Sequence, residues 1–502
     1  MKNILLSIFC ICSVTALAQN TLSGANTVSG QPLSVAEQRQ TVLDSLPAGA
    51  RVAPWAVGTS QIADSHKIDV PESWGFSRVY SQTLPSEDGW WRQFDDPILN
   101  ELIDKAENAN FNIRQAIRRM QIAKLTMDEA RAGYYPTISA SAGYTLDRSA
   151  GAVTSPATKG STASYMDLGL SAQWEIDLFG RIREQLKADK ASLNLSRADY
   201  EAAMVSLCSE LAKDYIQLRV LQAQYDLAIN HTRSQEAIVN MTLARQEAGL
   251  ASALEVAQAR QVLYSTRSSI PPLEAQIQAS IGAIAVLVGE YPDAVTPLLE
   301  ESKPLPDVIG TPMVGTPMEM LRRRPDIAQA EAEMALYAAQ LGIAKKDYLP
   351  TLNLTGSVGV QAHKPGDLFT SKGFTYSVAP ALSWTIFDGL ARKYRTAAAR
   401  EQMEASIDNY NQTLLGAVQE VDTYAAEYQA YLRQISLLKN LVDESQTALD
   451  LSVDLYRSTL TDFSNVVDAQ MSLLEYQNEA ITAQGDALTA LISLYQALGG
   501  GW

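Results

Sequence analysis

The sequence predicts an α+β membrane protein made of a duplicated unit of long coiled-coil helices plus two strands. Three observations predict it. The 502-residue chain repeats itself at an offset of 214 that tightens to 210. Four segments of about ten residues alternate apolar with polar or small side chains. Two runs of nearly 70 residues contain no proline and are dense in strong helix formers.

The repeat sets the organisation. Asn112-Ile113-Arg114-Gln115-Ala116 lies over Asp326-Ile327-Ala328-Gln329-Ala330, and Met120, Ala130, Tyr134 and Pro136-Thr137 lie over Met334, Ala344, Tyr348 and Pro350-Thr351. Trp174-Glu175-Ile176 matches Trp384-Thr385-Ile386, and Val256 and Ala259 match Val466 and Ala469, at the shorter offset of 210. The first copy therefore holds four extra residues between Thr137 and Trp174. A first repeat is expected over 85–300, a linker over 301–317 and a second repeat over 318–502, each reading helix, two strands, very long helix, turn, helix.

Ahead of the repeats, Lys2, the apolar stretch Ile4 to Val14 and the small-x-small site Ala16-Leu17-Ala18 read as a secretory signal over 1–18. Export would leave Cys208 as the single cysteine, because Cys10 and Cys12 lie inside the signal, so no internal disulfide is expected. Residues 19–84, rich in Ser, Thr, Gln and Pro, read as an extended N-terminal arm.

The strands are expected at 137–147, 166–177, 351–361 and 374–387. Leu352, Leu354, Gly356, Val358 and Val360, for example, alternate with Thr351, Asn353, Thr355, Ser357 and Gly359. Such a period suits a tilted strand in an outer-membrane barrel, with lipid outside and water inside. It suits a soluble half-buried sheet equally. If the strands meet lipid, four of them cannot close a barrel, and several copies of the chain must share one wall. The intervening segments Ser149 to Ser164 and Ala362 to Gly373 are rich in turn residues and read as surface loops.

Arg181 to Ala248 contains neither glycine nor proline, and Leu390 to Ser458 contains only Gly416. At about 1.5 Å per residue each would run roughly 100 Å, a length that only side-by-side coiled-coil packing can cover. Tip turns are expected near 249–252 and 459–462, followed by shorter helices, the first disturbed by Pro271-Pro272 and the second running to Leu498. The longest apolar run after the signal, Ile281 to Gly289, falls short of the roughly 20 residues of a bilayer-spanning helix, so none is expected.

The net charge of −16 speaks against nucleic acid as a partner. The three histidines, His66, His231 and His363, have no metal-ligand spacing, and no glycine loop suits a phosphate. No enzyme, cofactor or metal is expected. Cys208 sits among apolar residues, as a core cysteine does.

The chain resembles the outer-membrane efflux protein family, the TolC-like ducts, in the branch paired with resistance-nodulation-division pumps. The resemblance is carried by Trp90-Trp91, Phe94 and Pro97-Ile98-Leu99, by Tyr134-Tyr135-Pro136 and Tyr348-Leu349-Pro350, and by Trp174 to Gly180. Arg323-Arg324-Pro325-Asp326-Ile327 and Ile386-Phe387-Asp388-Gly389 complete it. It implies a homotrimer with a 12-stranded β-barrel in outer-membrane lipid, continuous with a periplasmic α-helical barrel. Its implied partners are a periplasmic adaptor protein and an inner-membrane transporter of the resistance-nodulation-division type. The implied function is a passive exit duct for drugs or other small molecules. Type I secretion of proteins or peptides uses the same duct, and a periplasmic coiled-coil stalk is the rival of a different class. Many relatives carry an acylated N-terminal cysteine that has no convincing counterpart here, since Phe9 and Ile11 precede the two early cysteines.

The resemblance also places a gate at the periplasmic tip. Tyr456 to Gln470 lines up with the family's tip segment, and Asp468 falls on a gate carboxylate. The position of a second acid is Asn465 and that of a basic latch residue is Thr461. Asp462 neighbours the latch position, and Glu255 matches Asn465 at the 210 offset, which makes both gate candidates. Both also stand where a helix dipole favours an acid at a helix start.

Overall fold

A computed structural model of the chain describes residues 89–150, 159–307, 317 and 323–500. The expected signal peptide at 1–18, the arm at 19–84 and most of the linker lie outside these residues.

A short 3-10 turn, Trp90–Phe94, leads into α1, Pro97–Ala109. The Asp96 carboxylate caps α1 by accepting from the amides of Ile98 and Leu99 at 2.9 and 3.2 Å. A second helix, α2, follows at Phe111–Ala132. The first copy thus opens with two helices where one was expected. Asn110 causes the break: its backbone leaves helical geometry and its side chain accepts from the amides of Asn112 and Ile113, starting the helix afresh.

The strands β1, Thr137–Ser149, β2, Ser161–Ile176, β3, Thr351–Ala362, and β4, Phe374–Ser383, form one antiparallel sheet in the order β1-β2-β3-β4. The two repeats join between β2 and β3, and the register keeps their parity. One face carries rows such as Ala140-Leu170-Val358-Tyr376 and Ala142-Leu168-Val360-Phe374. The other carries Ser139-Ser171-Ser357-Ser377 and Ser141-Gly169-Gly359-Thr375. A slip of one residue in any pairing would mix the two faces.

Two strand ends differ from expectation by more than two residues. β2 starts at Ser161 and not at 166, because Ser161–Ser164 bond backbone to backbone with Leu146–Ser149, which polar side chains do not prevent. β4 stops at Ser383, the partner of Thr351 where β3 begins, so Trp384 to Phe387 have no strand to pair with. Instead the Trp384 indole donates to the Tyr348 carbonyl at 3.0 Å, as Trp174 donates to Tyr134 at 2.9 Å in the other copy.

From the sheet run the two 67-residue helices, α3, Arg181–Glu247, and later α7, Ala391–Arg457. Each starts on a carboxylate. Asp177 accepts from the amides of Ile182 and Arg183, and Asp388 accepts from the amide of Arg392 while pairing with its guanidinium at 2.8 Å. These bonds account for the aspartate in both strand-exit signatures.

After α3 come α4, Ala253–Val288, and α5, Pro292–Leu299, and the second copy contributes α6, Pro325–Lys346, ahead of β3 and α8, Phe463–Ala497, after α7. Pro271 and Pro272 were expected to disturb α4, yet it runs unbroken across both. By length and composition α4 could also cross a membrane, which apolar runs alone did not suggest. Here it pairs lengthwise with α3, and Ile281, Ile284, Ala285 and Val288 enter the main core.

The helices stand in a row. Towards the sheet the neighbours are α2, α3, α6 and α7, and away from it they are α4, α3, α8 and α7. One edge is therefore α2 with α4, continuous with β1, and the other is α7, continuous with β4. At the waist Trp90, Leu99, Leu102, Tyr215 and Tyr495 form a closed core, with Cys208 buried among them. Burial pushes that thiol far above its ordinary pKa. The α3–α8 crossing is tight: a Cβ on Gly485 would lie 2.3 Å from Cγ2 of Val220. Gly485→Ala is expected to cost about 1–3 kcal/mol, read as a lowered thermal midpoint of the purified protein. An unchanged midpoint would mean the two helices can move apart freely.

Candidate gate at the helical tip

At the far end from the sheet both long helices close alike. Gly249 (φ +75°) donates to the Gln246 carbonyl and Leu250 to that of Arg245; Thr459 (φ +61°) donates to Tyr456 and Leu460 to Leu455. The second turn holds a threonine in the left-handed region that the first gives to glycine, a conformation costly for a β-branched residue.

The three sequence-predicted acids separate here. Glu255 has two roles. Its backbone amide and carboxylate form a capping box with Ser252, which starts α4 as the helix-start reading expected. Its Oε2 also accepts from the Tyr456 hydroxyl at 2.5 Å, joining the α3–α4 hairpin to the α7–α8 hairpin. Burial works against ionisation of Glu255. The hydrogen bonds from Tyr456 and Ser252 and the nearby Arg245 outweigh it and hold the carboxyl below its usual range. The same bond, with burial as the larger cause, pushes Tyr456 up to about 12.

Asp462 stands at the N-cap of α8 but makes no side-chain cap bond, and it is exposed. Asp468 is exposed on α8. At the positions of second acid and latch, Asn465 donates its amide to Thr461 Oγ1 at 2.6 Å, a neutral contact within one turn in place of an ion pair.

Sequence reasoning missed Tyr456 and Arg245 as partners. The Arg245 guanidinium lies 4.7 Å above the Tyr456 ring and donates to the Arg457 carbonyl at 2.9 Å, a second tie between hairpins. Tyr456 also packs on Phe463, ring centroids 5.1 Å apart, over Val239, Ala259, Leu263 and Val466. The available signal was an arginine and an aromatic residue in the last turns of the two long helices.

The signature Arg323-Arg324-Pro325-Asp326 lies far from the tip, at the waist, where Pro325 opens α6. Arg324 is buried and holds three elements together. It makes two bonds to Asp326, at 3.0 and 2.6 Å, one to Glu420 on α7 at 2.7 Å and one to the Ala497 carbonyl at the end of α8 at 2.6 Å. Burial alone would lower its pKa; the two carboxylates outweigh that and raise it. Half-buried Arg323 packs by its backbone on Gly499, whose φ of +92° and lack of a Cβ allow the approach: a Cβ there would lie 2.8 Å from the Arg323 carbonyl carbon. Among the described residues no cluster of His, Cys, Asp and Glu is arranged to hold a metal.

Comparison with known proteins agrees with this architecture. The outer membrane efflux protein family matches residues 102–290 and 316–500, one stretch in each copy. A probable efflux pump outer membrane protein, TtgC of Pseudomonas putida, is 28% identical over 455 residues, covering 89% of this chain and 93% of its own. The pyoverdine export outer membrane protein OpmQ of Pseudomonas putida is 30% identical over 433 residues, covering 84% of this chain and 90% of its own. Among solved structures, the outer-membrane channel OprN is 29% identical with a TM-score of 0.81, covering 87% of this chain and 99% of that one. With both repeats matched, and with the fold shared across nearly the whole of a solved channel, this chain belongs to the outer membrane efflux protein family.

Proposed function

We propose that this chain is one subunit of a homotrimeric duct that spans the outer membrane with a 12-stranded barrel and crosses the periplasm as a helical tunnel. Drugs or other small molecules leave through it passively, delivered by an inner-membrane transporter of the resistance-nodulation-division type and a periplasmic adaptor. The chain itself carries out no chemistry. OpmQ exports pyoverdine and TtgC serves an efflux pump, and the shared duct supports the same exit role here.

The observation that carries the reading is a sheet with two open edges and one largely apolar face, polar only towards its loop end at Arg148, Thr162 and Ser164. In hydrocarbon each unpaired backbone group on β1 and β4 would cost several kcal/mol, so the edges must meet those of other copies. Two copies would give eight strands, whose interior side chains nearly fill, whereas three give twelve and leave a conduit. The helical edges agree with the strand edges. Leu437 on α7 is 70% exposed and Val286 on α4 is 72% exposed, both in line to be covered by a neighbouring copy.

In that assembly the tips of α3–α4 and α7–α8 surround the periplasmic entrance. Asp468, with Asp462 and Glu255, would place carboxylates around the axis, where they attract cations and resist close approach. Detergent-purified protein inserted in planar bilayers is expected to form trimeric pores. Asp468→Ala is expected to raise conductance or antibiotic leakage. Material that is monomeric and soluble without detergent would sink the duct; unchanged conductance and drug tolerance would remove Asp468 from the gate.

A further inference from the structure

The register sorts charge between the two faces of the sheet. On β1, Asp147 falls on the polar face with Ser139 and Ser141, and Arg148 on the apolar face with Ala140 and Ala142. Asp167, the partner of Gly143, shares the polar face, and its carboxylate lies against the space that Gly143 leaves open: a Cβ there would meet Oδ1 at 2.7 Å. Across all four strands the apolar face carries no carboxylate, and its one cation is Arg148.

The loop end of the sheet also reverses the sign of the chain. Between Leu146 and Ser164 and between Ala362 and Phe374 stand Arg148, Lys159, Lys364 and Lys372 with only Asp147 and Asp367, whereas the whole chain has 40 Lys and Arg against 56 Asp and Glu. Two of these cations stand at the open edges. Arg148 is the second-last residue of β1, and Lys372 comes just before Gly373, whose carbonyl accepts from the Gln361 amide at 2.7 Å and extends the pairing of β3 with β4. Both cations are exposed, and neither makes an ion pair among the described residues. Beside them the same two edges present Tyr144 and Leu146 on β1 and Phe374 and Tyr376 on β4, all exposed on the apolar face.

β1 runs towards the loop end and β4 runs away from it, so in the closed barrel proposed above, on which this inference rests, Arg148 of one copy and Lys372 of its neighbour flank one seam. We propose that each seam binds a phosphorylated glycolipid of the outer leaflet, its phosphate between Arg148 and Lys372 and its acyl chains along Tyr144, Leu146, Phe374 and Tyr376. The guanidinium can grip a phosphate with two parallel bonds, and the ammonium adds a point charge. An acidic protein would otherwise repel such a lipid; here the nearest strand carboxylate, Asp147, is turned to the opposite face.

The test uses the full-length trimer in neutral detergent, titrated with diphosphorylated lipid A, with the same glycolipid stripped of phosphate, and with inorganic phosphate. Bound lipid is counted by native mass spectrometry. The wild type is expected to hold one lipid per seam and to bind the phosphorylated form about tenfold more tightly. An Arg148→Gln/Lys372→Gln variant is expected to lose that preference while conducting as the wild type does, since Arg148 lies on the face away from the lumen. Equal affinity of the wild type for the two glycolipids, or a variant that keeps the preference, would overturn the site. Inorganic phosphate that displaced the lipid at the lipid's own concentration would overturn it too, by marking a free-anion site. A monomer would sink the duct and the seam with it, whereas a conducting trimer without the phosphate preference would sink the lipid site alone.

Discussion

Removing both acidic partners of Arg324, in an Asp326→Ala/Glu420→Ala variant, is expected to cost about 3–5 kcal/mol, more than removing the arginine itself. The asymmetry comes from exposure: the Arg324 side chain is 8% exposed, while those of Asp326 and Glu420 are 39% and 50% exposed. A stranded guanidinium would stay buried with only the Ala497 carbonyl to satisfy it, whereas stranded carboxylates can be hydrated. Arg324→Ala should therefore lose about 2 kcal/mol, chiefly its bonds to α7 and α8. Thermal midpoints of the purified proteins, with their yields from the outer membrane, measure the difference. If Arg324→Ala proved the less stable, the arginine would matter for the helix ends it ties and not for its charge.

Tyr456→Phe is expected to open the tip about tenfold more often, because it removes the hydroxyl that joins the two hairpins and keeps the ring packed on Phe463. The lower end of the range for a charged acceptor applies, about 1.5 kcal/mol, since Glu255 keeps contact with water. Single-channel open probability reads it. The pH dependence follows from the two partners. The Glu255 carboxyl is held below its usual range, so its contribution is present above an ordinary carboxylate pKa of about 4.3 and is lost as pH falls through the lowered value. The Tyr456 hydroxyl is raised to about 12, so its contribution is present below an ordinary tyrosine value and is lost as pH rises through 12. The link should hold from about pH 5 to 10. Tip opening that changed within this window in wild type but not in Tyr456→Phe would show that the bond titrates earlier than its surroundings imply.

Much of the fold was legible because it is written in local periods. Leu352, Leu354, Val358 and Val360 alternate with polar or small residues whatever the rest of the chain does, and the proline-free runs are helical by composition. The strand ends were not legible, since Ser161–Ser164 join β2 through backbone bonds and Trp384–Phe387 leave β4 for want of a partner, and side-chain pattern reports neither. The tip was legible only in part. Glu255 could be found by the repeat, but its bond to Tyr456 spans 201 residues of chain and depends on how two hairpins pack.

The sequence by itself determined the duplication, the alternating faces of the strands and the length of the helices, because each follows from the order of neighbouring residues. Only the tertiary structure decided which carboxylate Tyr456 meets and which three elements Arg324 ties. Those depend on distances between residues remote in the chain, which close packing of whole helices sets and no local preference encodes.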